Sequence, residues 1–229
     1  DTEAMYFKGL ALDACGREKE AYDMLSMAAW DYKFRSAAYF ELALLDCKNN
    51  DFADALEKLD TSISYNSGHT KAMNIKALVL QILGKNDEAK ALLDDIQRYD
   101  RLDMFSKYQL LSFGGSKDEF NEIFGEKCEN YLDVAYDLIN GGFYERAIDV
   151  MDLSEKAYPM FDYVKAYCCG KLGDSGKESE LLKSAEAQDT GCCFPARLDD
   201  IAVLNNAICK NESGDNAYYY LGCLFYDRF

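Results

Sequence analysis

Apolar residues along this chain recur every third or fourth position, with polar residues between them. In the segment of residues 4–15 (AMYFKGLALDAC), Met5, Gly9 and Leu12 share one side. In residues 20–30, Ala21, Leu25 and Ala28 fall at i, i+4 and i+7. That spacing places them on one face of a helix. Turn residues separate the segments: Gly16, Asn50-Asp51, Ser67-Gly68 and Gly84. The pattern predicts antiparallel helix pairs joined by short turns. The segment IKALVLQIL would also fit a buried strand, but its length and its small residue at Ala77 favour a helix.

A longer period lies over this one. Ala21, Ala55 and Ala89 are 34 residues apart, and so are Gly9, Ala43 and Ala77. Two helices bury a shared face only if their backbones approach closely, and small residues at fixed positions allow that. A single hairpin cannot cover its own apolar face, so such units stack. The next matching alanine, Ala147, comes 58 residues after Ala89, one period plus 24. The expected division is regular repeats at 4–35, 36–69 and 70–100, then an irregular insert at 101–126. In the insert Met104, Tyr108 and Leu111, then Phe120, Ile123 and Phe124, predict two short helices around Gly114-Gly115-Ser116. Repeats follow at 128–160 and 161–188, then an extra helix at 194–210 and a half repeat at 216–229. In the fifth repeat Glu178 stands where alanine is expected, which puts its inner packing in doubt. The chain opens on Asp1 rather than Met and ends inside a helical pattern, as a piece of a longer protein would.

Composition narrows the function. Lys plus Arg total 25 against 41 Asp plus Glu, a net charge of −16. Such a surface repels phosphate backbones and anionic membranes, so neither nucleic acid nor a membrane is an expected partner. Basic or neutral partners are favoured, through rate more than affinity. There is no apolar run of membrane-spanning length and no charged-then-apolar leader, so a cytoplasmic location is expected. Nine cysteines without a CxxC then read as free thiols. Cys168, Cys169, Cys192 and Cys193 are the one metal-ligand alternative. Adjacent helical residues diverge, however, and the single histidine, His69, is far away in sequence, so no metal and no cofactor is expected. No Ser/His/Asp arrangement, phosphate loop or HExxH is present, which points away from an enzyme. Asp94-Asp95 and Asp199-Asp200 read as solvated helix faces, and Trp30 as packing between repeats.

The stretches LALDACGREKEA, LALLDCKNNDFADA, ALVLQILGKNDEA and VAYDLINGGFYERA resemble the glycine-to-alanine core of the tetratricopeptide repeat family, and YYYLGCLFYDRF resembles its opening helix. The resemblance implies an all-α, right-handed α-solenoid whose concave groove binds a peptide or a neighbouring domain. Carried over position by position, the groove residues are Tyr6, Leu10, Phe40, Leu44, Asn74, Leu78, Leu132, Tyr136, Tyr163, Tyr167, Tyr219 and Cys223. Members that clamp acidic tails use lysine, arginine and asparagine there. Only Asn74 is of that kind, so no carboxylate clamp is expected. Two readings stand side by side. The trough grips an apolar or aromatic segment with basic flanks, or its tyrosines fill the array or meet another domain of the same chain. More faintly, FPARLDDIAVLNNAI with YYYLGCLFYDRF is similar to repeat regions of bacterial carbohydrate-active-like proteins. That would make the chain an accessory region of a carbohydrate-processing enzyme with its catalytic domain elsewhere.

Overall fold

The computed structural model describes residues 1–125, 127–191, 193–210 and 214–226. Glu126, Cys192 of the candidate metal cluster, and the last three residues of the expected half repeat lie outside the described residues. Among the described residues there are fourteen α-helices, one 3-10 turn and no strand. They fall into two compact units. One comprises Asp1–Gly125 with Asn140–Gly142, the other Glu126–Ile139 with Phe143–Phe229. No helix among the described residues is long and apolar enough to cross a membrane.

The first unit begins with three hairpins. Helices α1 (Thr2–Ala14) and α2 (Glu18–Ala28) form the first, α3 (Tyr32–Lys48) and α4 (Phe52–Tyr65) the second, and α5 (Thr70–Ile82) and α6 (Asn86–Tyr99) the third. IKALVLQIL therefore lies largely within helix α5. Gly16, Asn50 and Gly84 close the three first helices with positive φ, of 72°, 62° and 76°. This left-handed residue is what a helix needs to turn back sharply, and glycine or asparagine bears it most easily. The spaced small residues are buried, Ala21, Ala43, Ala55, Ala77 and Ala89 completely so. A Cβ added at Gly9 would lie 2.7 Å from Leu25 Cγ, so α1 and α2 meet there without room for a side chain. Ion pairs tie one hairpin to the next, Lys48 to Asp13 at 2.8 Å, and reinforce the second, Lys58 to Asp46 at 2.6 Å. Burial raises the Asp46 carboxyl, and the Lys58 ammonium opposes that rise.

Trp30 corrects an expectation. It is 83% exposed, because α2 ends at Ala28 and the junction to α3 is closed instead by Ala28, Ala29 and Ala38. These three small residues leave no gap for an indole.

After α6 come α7 (Met104–Leu110), the 3-10 turn Leu111–Phe113 and α8 (Lys117–Phe124). A polar network seats α7 on the third hairpin. Gln109 Nε2 donates to the Asn74 carbonyl and side-chain oxygens at 3.1 and 3.2 Å, and Asn74 Nδ2 donates to Asp103 Oδ1 at 2.9 Å. Gln81 donates to Gln109, and Gln97 to Ser106, at 3.0 and 2.7 Å. The buried amides of Asn74 and Gln109 are both partnered, so the network fixes the position of α7 rather than weakening it.

The second unit contains all of α9 (Cys128–Asn140) but its last residue, and α10 (Tyr144–Asp152), α11 (Pro159–Lys171), α12 (Ser175–Ala187), α13 (Asp199–Lys210) and α14 (Asn216–Tyr226). Ala135, Ala147 and Ala166 are buried like their counterparts in the first unit. Glu178 is buried too, and the structure removes the doubt about it. A Cβ built on Gly170 of the facing helix would sit 2.6 Å from Glu178 Oε1, so the small residue has moved across the interface. The carboxylate accepts from Asn206 Nδ2 at 3.2 Å and lies 3.6 Å from Lys210 Nζ, which fastens α13 to α12. Asp200 is a second correction. It is buried rather than solvated, because Tyr136 and the backbone before α13 close over it.

Candidate functional site

Side chains carried over as groove residues fall into two classes. In the first unit Leu44, Asn74 and Leu78 are buried, and Asn74 is engaged with α7. Tyr6, Leu10 and Phe40 are half-buried. Tyr6 stacks on Phe34 with ring centroids 5.4 Å apart, and burial together with Glu41 pushes its hydroxyl up to about 12. Phe40 lies against the His69 ring at 4.8 Å.

In the second unit Leu132, Tyr136 and Tyr163 are buried. The Tyr136 hydroxyl donates to Asp200 Oδ1 at 2.5 Å, and the other oxygen of that carboxylate accepts from the backbone of Ala196 and Arg197 at 3.0 and 2.9 Å. Burial and the Asp200 charge hold the Tyr136 hydroxyl well above its usual value. Tyr163 donates to Glu186 Oε1 at 2.7 Å, and Glu186 also accepts from the backbone of Asn216 and Ala217 at the start of α14. The Tyr163 and Tyr220 rings pack edge to face at 6.0 Å. These tyrosines therefore position α13 and α14. Tyr167 is half-buried, with Lys171 Nζ 5.2 Å from its ring centre.

Only Tyr219 and Cys223 of the carried-over residues are brought to one open cleft. The cleft holds about 670 Å³ and is lined by Phe194, Pro195, Ala196, Tyr219, Gly222, Cys223 and Tyr226. Phe194 is 71% exposed, Tyr219 51% and Tyr226 91%. Its floor is rigid for identifiable reasons. Asp200 holds Ala196 and Arg197 by their amides, and Arg197 donates to Asp133 at 2.8 and 2.5 Å and to the Glu129 carbonyl at 2.9 Å. Phe194 and Pro195 precede α13, which begins at Asp199 rather than at the expected residue 194, so position-by-position reasoning misses them. The signal that would find them is an aromatic-proline pair in a break between helices. The lining is mostly apolar, with the phenols of Tyr219 and Tyr226 and the Cys223 thiol as its polar groups.

Among the described residues no group of His, Cys, Asp or Glu has a metal-binding arrangement. Cys168, Cys169 and Cys193 of the candidate cluster are buried, and burial raises all three thiols, Cys168 to about 12.

No family model and no curated protein matches the chain. Solved structures do. A tetratricopeptide repeat protein from Parabacteroides merdae is 10% identical with a TM-score of 0.50, over 98% of this chain and 98% of that one. The structure described as MamA MSR-1 C2 is 18% identical over 80% of this chain and 94% of that one, and its TM-score of 0.39 is too low to argue from. The resemblance to carbohydrate-active proteins receives no support from either. At such identities a likeness speaks to the backbone alone, and here it agrees with the hairpins and their small-residue contacts: the chain has the tetratricopeptide-type fold, an all-α solenoid of helix–turn–helix units.

Proposed function

We propose that the chain is a non-catalytic protein-interaction scaffold. In this reading the cleft between the Phe194–Pro195–Ala196 segment and α14 grips an apolar or aromatic segment of a partner, with basic flanks on that segment. One observation carries it. Of the tyrosines at carried-over groove positions, Tyr136 and Tyr163 are used internally, whereas Tyr219 stands open beside the exposed Phe194 and Tyr226. Contiguous exposed aromatics of this kind mark interaction surfaces. Two such anchors at about 2 kcal/mol each supply about 4 kcal/mol, which by itself corresponds to roughly millimolar binding. The net charge of −16 adds attraction for basic flanks, mainly in the association rate.

The test is selection from a random peptide display library, followed by affinity measurement on purified protein. The expected consensus has two apolar or aromatic anchors with lysine or arginine nearby. Binding should fall at least about tenfold in a Phe194→Ala, Tyr219→Ala double variant. If selected peptides bind that variant as tightly as the original chain, the cleft is not the site.

A further inference from the structure

One helix of the second unit leaves the order of the stack. In the first unit each hairpin packs on the one before it, α3 on α2 and α5 on α4. Helix α13 instead packs chiefly on α11, two helices back, and the turn that leads into it reaches α9. Both α9 and α11 are first helices of their hairpins, and α13 meets α9 at Tyr136, one of the carried-over groove residues.

The attachments of α13 are those of a ligand. Asp200, Val203, Leu204 and Ala207 are buried, at i, i+3, i+4 and i+7. That is the face an amphipathic helix lays into a groove. Ala202, Asn205 and Cys209 on its other side are exposed. Ahead of the helix, Arg197 donates twice to Asp133 Oδ1 and once to the Glu129 carbonyl, both on α9. The Asp200 carboxylate accepts from Tyr136 and from the amides of Ala196 and Arg197, which fixes where the helix starts. These charge-assisted bonds set the register that apolar contacts alone leave open. At the far end the bonds are longer, Asn206 to Glu178 at 3.2 Å and Lys210 to Glu178 at 3.6 Å.

We infer that the face of α9 and α11 under α13 is the recognition groove of the second unit, and that α13 with its leading turn is a tethered occupant replaced by a partner's segment of the same chemistry. That segment is an amphipathic helix with an aspartate at its start. An arginine stands three residues ahead of the aspartate, and apolar residues stand three, four and seven residues after it, as Arg197, Val203, Leu204 and Ala207 stand around Asp200. Asp133 supplies the charge that draws the arginine. A tethered segment competes at an effective concentration on the order of millimolar, so a free segment enters when it binds more tightly than α13 or when α13 is out. The inference does not rest on the cleft at α14.

The probe is a fluorescein-labelled peptide copying residues 194–208, read by anisotropy. The unaltered chain holds its own copy and should bind the peptide weakly. Leu204→Asp puts a charge on the buried face of α13, so the peptide should bind that variant at least about tenfold more tightly. Adding Tyr136→Phe removes the hydroxyl that meets the peptide's aspartate and should weaken this binding about tenfold. Adding Tyr219→Ala should leave it unchanged, which separates the groove from the cleft. Hydrogen exchange on Leu204→Asp should show α13 opening while α9 to α12 keep their protection. If α9 to α12 open with it, α13 is a fixed member of the stack and the inference falls. Equal binding by the unaltered chain and Leu204→Asp, or binding by neither, overturns it as well. So does binding that Tyr136→Phe leaves intact or that Tyr219→Ala abolishes.

Discussion

The two units solve the same packing problem by different means. In the first, the helices of each hairpin close mainly on size, with the Lys58–Asp46 pair added in the second hairpin: Ala21, Ala55 and Ala89 sit completely buried at matching positions. In the second, size is supplemented by chemistry. Tyr136 and Tyr163 reach carboxylates 64 and 23 residues away, and Glu178 occupies an alanine position opposite Gly170. Where the period is strict, repeated small contacts suffice. Where it lapses, after residue 188, specific hydrogen bonds tie α13 and α14 to the helices before them. The first unit should therefore respond most to changes of volume, and the second to loss of a single polar partner.

The sharpest way to break the comparison is Asp200→Ala. It leaves the buried Tyr136 hydroxyl and two backbone amides without their shared acceptor. Buried groups deprived of a charged partner cost the full desolvation penalty, so the expected loss is about 3 kcal/mol. Hydrogen exchange should show α13 and the Phe194–Ala196 segment opening, with the first three hairpins protected as before. Uniform loss of protection across both units would mean that they do not differ in this way. Next in size is Ala55→Leu, which changes volume alone. Overpacking a filled contact costs roughly 1–3 kcal/mol, and the loss should appear first in α3 and α4. If Ala55→Leu is silent while Asp200→Ala is not, close backbone approach is not what stabilises the first unit.

These differences explain what could be read from residues alone. The hairpins were legible because a close helix contact needs a small residue at a fixed place, and that leaves a mark at Ala21, Ala55 and Ala89 however the rest varies. The exchange of Glu178 for alanine was visible, but its compensation by Gly170 was not, since it depends on which residues face each other. Asp200 read as solvated because its partner, Tyr136, lies in another helix pair and outside any shared period. Trp30 was misplaced by the position of a helix end, which composition does not define to within a residue or two. For the groove, the carried-over positions say where a side chain stands on its helix. They do not say whether a neighbour such as Asp200 or Glu186 has already claimed it. Phe194 and Pro195 lie where periodicity stops, and they became candidates only once α14 was seen beside them.

The smallest effect concerns pH. Burial and Asp200 raise the Tyr136 hydroxyl well above 10, so the folded chain holds this proton more tightly than the unfolded one. The stability that follows is fully present below the unfolded value near pH 10 and is lost as pH rises through the folded value. Above pH 10 this one tyrosine should steepen the decline by up to about 1.4 kcal/mol per pH unit, since that is the worth of one proton. Tyr136→Phe has no proton to lose. It should be less stable than the original chain at pH 8, because Asp200 forfeits a donor, yet its stability should fall more slowly between pH 10 and 11. Urea unfolding at the two pH values measures both slopes. Parallel declines would show that the Tyr136 proton is not bound more tightly in the folded chain, and the polar fastening assigned to the second unit would then have to rest on Tyr163 and Glu178.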